Sequence, residues 1–318
     1  MTQVCSERSG LSVIISTLDE GEELHATLRS LFSCAQPPEE VIVVDDGGGD
    51  GSCAALSHEE WQSFPLKVAS IARRGIAGAR NFGRSLARMP RIAFVDAHCR
   101  LEGGALSALR AALDQRPNAV LAAAIRDRGG AVFGCGAELI GPELRTRWLP
   151  PDTAAGELRP VPIAPGGCLA METRVFDALG GFDDLRELGL EDVEFSLHAW
   201  RMGFEVLGVP RARLEHSFRS TPHYQLRSTS RGYNLARIAL VHFDGIRRDS
   251  SLRSLIGLPR ASEILLDALV SDWEQRRVMI GARCGRSAEE VFRLLGTDEL
   301  MSLRGGMMPS ADTSGNVA

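Results

Sequence analysis

The chain has 318 residues and a mass of 34.4 kDa; 44% of its residues are apolar, 24% are charged, and the formal net charge is −5. That suffices for one large α/β domain with an appendage or for two domains, and the excess of acid argues against a nucleic-acid binder. Seven widely spaced cysteines without a Cys-x-x-Cys pair exclude a zinc ribbon and a disulfide framework, and no run approaches the ~18 apolar residues of a membrane span. With a polar start at Met1 to Gly10, these features predict a soluble, cytoplasmic chain with no integral membrane segment.

In chain order, Leu11-Ser12-Val13-Ile14-Ile15-Ser16 is a β-branched run, followed by Thr17-Leu18-Asp19-Glu20 and by Leu24, Leu28, Leu31 and Phe32 at helical spacing. Val41-Ile42-Val43-Val44 makes a second buried strand that runs into Asp45-Asp46 and a glycine-rich loop. A third strand covers Leu66 to Ile71, and Ile76, Ala79, Phe82, Gly83 and Leu86 form a helical face. Arg91 to Val95 is an interior strand whose polar end is Asp96-Ala97-His98-Cys99. A helix through Leu106, Leu109 and Leu113 and an apolar run from Ala119 to Ile125 follow. Alternating strands and helices over this stretch imply a mostly parallel sheet, with ligands at the carboxyl ends of its strands. Asp45, Asp46, Asp96 and His98 all fall at such ends. Asp96 and His98, two apart on an extended chain, share a face and can converge on one ion.

The middle is less regular. Ala131 to Ile140 reads as one or two strands, and Gly141 to Pro165, with six prolines, as a long loop over the sheet. Gly166-Gly167-Cys168 returns to buried character, and its paired glycines let backbone approach a ligand closely. A helix covers Arg174 to Leu179. Glu191 and Asp192 open another that carries Val193, Leu197 and Trp200, a position where acidic side chains also suit the helix dipole. Phe204 to Pro210 and Leu214 to Arg219 read as late strands. His223 to Phe243 and Ala261 to Arg283 read as helices, whose apolar stripes suit core packing first and an acceptor-groove cover or a homodimer face second. The motifs of three other α/β classes are absent: no Gly-x-Gly-x-x-Gly follows the first strand, and there is no P-loop and no Gly-x-Ser-x-Gly elbow.

Six ordered blocks then carry a resemblance. They are Val44-Asp45-Asp46, the run Arg73 to Arg80, Phe94-Val95-Asp96-Ala97-His98-Cys99, Gly166-Gly167-Cys168, the run Gly189 to Ser196, and His216-Ser217-Phe218-Arg219. Together they resemble a family-2-type glycosyltransferase with the GT-A fold, most closely the catalytic domain of the polypeptide N-acetylgalactosaminyltransferases. The resemblance runs from Leu11 to Arg219. It implies a GT-A catalytic domain at 11–220; outside it the residues read as a tail at 1–10, a helical C-terminal extension at 221–304 and a Gly/Ser/Met-rich disordered tail at 305–318.

The resemblance also implies a UDP-sugar donor and a divalent ion, manganese with magnesium as the alternative. Thr17 and either Asp45 or Asp46 would hold the uridine, Arg80 and Gly167 would support the donor side, and Asp96, His98 and His216 would ligate the ion. Arg219 would contact the leaving diphosphate. One carboxylate and two imidazoles are a reasonable donor set for such an ion. The animal peptide transferases carry Glu-Asn where this chain has Glu191-Asp192. A Glu-Asp pair resembles inverting family-2 enzymes instead, with Asp192 as the base that deprotonates the acceptor. The expected activity is transfer of a hexose or N-acetylhexosamine to a hydroxyl or thiol of a peptide, protein or other cytosolic acceptor. The alternatives are extension of a surface or secondary-metabolite glycan, and a non-catalytic nucleotide-sugar-binding scaffold.

Overall fold

The structure is a computed structural model that describes residues 9–130, 133–150, 156–219 and 224–297. Most of the expected N-terminal tail, all of the 305–318 tail, the last residues of the expected extension, Ala131 and His223 lie outside the described residues.

The first half winds as the hydrophobic pattern requires. Strand β1 (Leu11–Thr17) leads to helix α1 (Glu22–Phe32), β2 (Glu40–Asp45), the short α2 (Ser52–Ala55), β3 (Leu66–Ser70), α3 (Gly75–Leu86) and β4 (Arg91–Val95). The four strands lie in the order β4-β1-β2-β3, all parallel. Then come β5 (Cys99–Leu101), α4 (Ala105–Gln115), β6 (Ala119–Asp127), β7 (Phe133–Cys135), β8 (Ala137–Ile140), β9 (Arg145–Trp148), β10 (Arg159–Pro160) and β11 (Cys168–Glu172). Helices α5 (Thr173–Leu179) and α6 (Glu191–Met202) precede β12 (Glu205–His216).

The sheet is mixed. β11 runs antiparallel between β4 and β6, and β12 lies parallel to β6 on its far side. This wiring brings the carboxyl end of β4 beside the start of β11, where Asp96 N–H donates to Gly167 O at 3.2 Å. It also sets His216, at the end of β12, opposite Cys99 of β5. A residue of β4's end and one 120 positions later are thereby neighbours.

Alternation along each strand splits the core in two. Ile14, Ile42, Ile92 and Phe94 face one apolar layer, and Leu11, Val13, Ile15, Val41 and Val43 face the other. Helix α3 lies close on β1 because Gly83 has no side chain; a Cβ there would collide with Ile14.

Three expectations need adjustment. The 141–165 segment is not a plain loop, since β8 and β9 pair as a hairpin and β10 joins β12. The two late strands are one strand, β12, whose register slips between Val209 and Arg213 around Pro210, which has no N–H to offer the ladder. The 261–283 helix is two: α9 (Ala261–Leu269) and α10 (Trp273–Arg283). Helices α7 (Ser230–His242), α8 (Gly245–Ser254) and α11 (Ala288–Leu294) complete the C-terminal part.

Helix α7 is buried on nearly all sides, and Leu235, Ile238 and Ala239 share an apolar cluster with Phe94, Phe176 and Phe195 of the sheet region. Its Asn234 side chain donates to Arg186 O and Gly189 O at 2.9 and 2.8 Å and accepts from Arg186 N–H at 2.7 Å. Arg237 is fixed by Asp183 at 2.7 Å and by Asp272 at 2.7 Å. The C-terminal helices therefore act on the 183–190 turn, which forms a wall of the site described next.

Candidate active site

The carboxyl ends of β1, β2 and β4, the turn before α6 and the end of β12 enclose two adjoining clefts. The larger, about 900 Å³, is lined by Thr17, Glu20, Asp46, Arg73, Asp96, His98, His216, Arg219 and Tyr224, among others. The smaller, about 440 Å³, is lined by Asp96, Trp148, Gly167, Leu188, Glu191, Asp192, His216 and Phe218, among others. Asp96 and His216 belong to both and stand at the junction.

Asp96, His98 and His216 each present a ligand atom, and the three atoms lie within 4.8 Å of one another. His216 Nε2 is 3.3 Å from Asp96 Oδ2, and the two imidazoles meet edge to face at 4.5 Å between centroids. Burial works against the Asp96 anion, but the hydrogen bond from His216 and the charge of Arg80 hold its carboxyl well below the usual range. Burial lowers His216; its Nε2 faces Asp96, and its Nδ1 is buried without a partner among the described residues. An ionised carboxylate and two imidazoles fit a divalent ion.

Arg80 lies beneath the trio, 1% exposed. Its Nη2 donates to Asp96 Oδ1 and to Gly166 O, both at 2.8 Å, and its Nη1 donates to Glu191 Oε1 at 3.3 Å. Arg80 thus joins the two clefts from below rather than lining the larger one. Gly167 makes room for the trio: a Cβ there would stand 3.1 Å from His216 Cδ2 and 3.0 Å from Ile125 Cδ1.

The other expected residues separate by position. Thr17 is buried on the larger cleft, and its hydroxyl has no partner among the described residues. Asp46 also lines that cleft, while its carboxylate accepts the N–H groups of Arg74 and Gly75 at 2.7 and 2.8 Å. Asp45 lines neither cleft; it accepts from Gly48 N–H at 2.7 Å and shapes the glycine loop. Asp192 faces the smaller cleft, its oxygens accepting from Gly166 N–H at 2.9 Å and Val193 N–H at 2.8 Å. Burial raises both Asp192 and Glu191, and the proximity of Asp192 adds to the rise at Glu191. A raised carboxylate is a better proton acceptor than an ordinary one.

Cleft residues that the six blocks leave out include Glu20, Tyr224, Trp148 and Leu188. Glu20 accepts from His98 Nδ1–H at 3.2 Å and from Arg219 Nη2–H at 2.7 Å. Burial pushes its carboxyl up, but the hydrogen bonds and charges of His98 and Arg219 outweigh it and hold the group below its ordinary value. Arg73 lies over the Tyr224 ring at 5.7 Å. The only sequence sign of Glu20 is its place just past a strand end, a signal shared with Asp19.

The profile of glycosyl transferase family 2 matches residues 12–180, more than half of the chain. The chain belongs to that family. Among curated relatives, polypeptide N-acetylgalactosaminyltransferase 6 of Homo sapiens is 28% identical over 220 residues, which are 62% of this chain and 35% of that protein. The probable N-acetylgalactosaminyltransferase 8 of Caenorhabditis elegans is 26% identical over 182 residues, 52% of this chain and 43% of that protein. The chain thus spans less than half the length of these relatives. Among solved structures, GalNAc-T7 with UDP, GalNAc and Mn2+ superposes with a TM-score of 0.73 at 20% identity, covering 91% of this chain and 57% of that one. The mannosyltransferase PcManGT from Pyrobaculum calidifontis, in complex with GDP-Man and Mn2+, gives 0.52 at 17% identity, over 90% of this chain and 76% of that one. These likenesses establish the GT-A fold for this family-2 chain. No helix among the described residues is long and apolar enough to cross a membrane.

Proposed function

We propose that this family-2 chain is a metal-dependent glycosyltransferase. It moves a hexose or N-acetylhexosamine from a UDP-sugar to a hydroxyl or thiol of a peptide, protein or other cytoplasmic acceptor, with inversion at the anomeric carbon. The observation that carries this reading is the shared position of Asp96 and His216 on both clefts. The larger cleft then takes the nucleotide, the smaller one takes sugar and acceptor, and the bond that breaks lies at their junction.

In the larger cleft the Thr17 hydroxyl, without a partner among the described residues, and Asp46 would bind the base and ribose, and Arg219 would face the diphosphate. Asp96, His98 and His216 would hold a divalent ion, manganese or magnesium, whose charge offsets the negative charge that builds on the leaving diphosphate. In the smaller cleft Asp192 accepts the acceptor's proton as its oxygen or sulfur attacks the anomeric carbon, and the sugar–phosphate bond breaks on the opposite face. Glu191, bonded to Arg80 and to Gly189 N–H at 3.1 Å, holds the turn that aims Asp192. Mn2+ in the GalNAc-T7 and PcManGT complexes supports the metal, and UDP in the former supports the base.

The test is a panel of UDP-sugars, with GDP-mannose included, scored for donor hydrolysis with and without Mn2+. Cleavage of one donor only with metal, lost in Asp96→Ala, is expected. A panel with no metal-dependent binding or cleavage would overturn the reading and leave the nucleotide-sugar scaffold in its place.

A further inference from the structure

We propose that Glu20 is the positioning residue of the donor cleft, one carboxylate that sets the tautomer of His98 with one oxygen and the place of Arg219 with the other. Glu20 follows β1 by three residues and is 8% exposed. Its partners lie 78 and 199 residues further along the chain, at the end of β4 and just beyond β12. Nothing in the local sequence ties these three residues; the fold alone brings them together.

The argument is one of donors and acceptors. An ionised carboxylate can only accept, so both partners must donate to it. Arg219 can do nothing else. His98 has a choice of nitrogens, and the 3.2 Å contact between its Nδ1 and Glu20 Oε1 requires the hydrogen on Nδ1. The lone pair is then on Nε2, the nitrogen left to bind an ion. A carboxylate behind a ligating imidazole fixes its ring and raises its basicity, and loss of such a partner costs 10- to 100-fold in metal affinity. The second oxygen, 2.7 Å from Arg219 Nη2, holds that guanidinium at the same end of the cleft. One side chain therefore couples an ion ligand to the cation that faces the diphosphate. Aspartate, a methylene shorter, would not span both contacts.

The consequence for metal rests on the function proposed above, but the tautomer does not, and the two can be tested apart. In metal-free protein at pH 8, labelled with 15N-histidine and assigned with His98→Gln, long-range proton–nitrogen spectra are expected to show His98 as the Nδ1–H form. Glu20→Met, which keeps volume but removes both acceptors, is expected to return His98 to the Nε2–H form that imidazole prefers in water. Mn2+ affinity of Glu20→Met, read by calorimetry, is expected to fall about 10-fold or more. UDP affinity in Glu20→Met, Arg219→Met and the double variant is expected to be non-additive, the double being no weaker than Arg219→Met alone.

A wild-type His98 in the Nε2–H form overturns the proposal without any variant, so poor folding of Glu20→Met cannot shelter it. Wild-type Mn2+ affinity in Glu20→Met overturns it as well, and additive UDP losses overturn its Arg219 half. An Nδ1–H His98 in a protein that binds no Mn2+ upholds the hold of Glu20 on His98 and overturns the metal reading instead.

Discussion

Arg80 Nη2 donates to Asp96 Oδ1 at 2.8 Å from a side chain that solvent does not reach, and the same guanidinium holds Glu191 and the carbonyl of Gly166. One buried cation thus supports a residue shared by both clefts and the turn that carries Asp192. Removing it would leave Asp96 with His216 alone and Glu191 with only the Gly189 N–H. Arg80→Leu is expected to lower unfolding free energy by about 3–5 kcal/mol, the cost of breaking a buried pair at one partner. Urea titration of Arg80→Leu against wild type measures it, and a loss below about 1 kcal/mol would mean that water already reaches the pair.

Gly167 is tested by adding one methyl group. In Gly167→Ala the new Cβ must displace Ile125 or the His216 ring, 3.0 and 3.1 Å away. The expected result is Mn2+ affinity reduced several-fold with little change in melting temperature, because the imidazole yields more readily than the strand. Unchanged affinity by calorimetry would show that Ile125 moves instead.

Base chemistry separates from binding at Asp192. Asp192→Asn keeps the size and a carbonyl that can accept from Gly166 N–H, but it cannot take a proton. Turnover is expected to fall by about 10²- to 10⁴-fold, with donor affinity within a factor of about two. Steady-state kinetics alongside UDP-sugar binding decide this, and a loss confined to donor affinity would move Asp192 out of the chemical step.

Stability should respond to acid through His198, which lines neither cleft. It is buried, its Nδ1 has no partner among the described residues, and burial lowers it from 6.5 to about 4. The unfolded chain therefore takes up a proton at this residue as pH falls below 6.5, while the folded one does so only near pH 4. Stability from this group is present above pH 6.5 and is lost as pH falls through that window. Glu194, also buried, is raised from 4.5 to about 7 and acts in the opposite sense: it favours the fold at low pH and loses that contribution as pH rises. Comparing His198→Gln with wild type isolates the first contribution. Between pH 6.5 and 4 the two slopes of unfolding free energy should differ by about one proton, on the order of 3 kcal/mol over the window.

Much of this protein was legible in the chain itself. Period-2 and period-3.6 patterns placed β1 to β4 and helices α1, α3 and α4, because each buries one face and must repeat apolar side chains at the spacing of its own backbone. Asp96-Ala97-His98 stood out as ligands two apart on an extended chain, but the three form the turn between β4 and β5, so the turn and not strand alternation brings Asp96 and His98 together. Where patterning failed, local sequence had no periodic burial to report. The β8–β9 hairpin is half-exposed and crowded with prolines nearby, and α8 carries a single well-buried residue, Ser251.

The site itself divides in the same way. Sequence by itself determined the kinds of side chain available and which of them end a strand. It could place Asp45 and Asp46 side by side but could not say that Asp46 faces the cleft while Asp45 shapes a loop, since that depends on where β2 stops relative to its neighbours. Only the tertiary structure decided that Arg80 lies under both clefts, that Gly167 leaves the space His216 fills, and that Glu20 reaches His98 and Arg219. Those relations join residues tens to hundreds of positions apart, and their distances follow from strand order and register, which no short window of sequence contains.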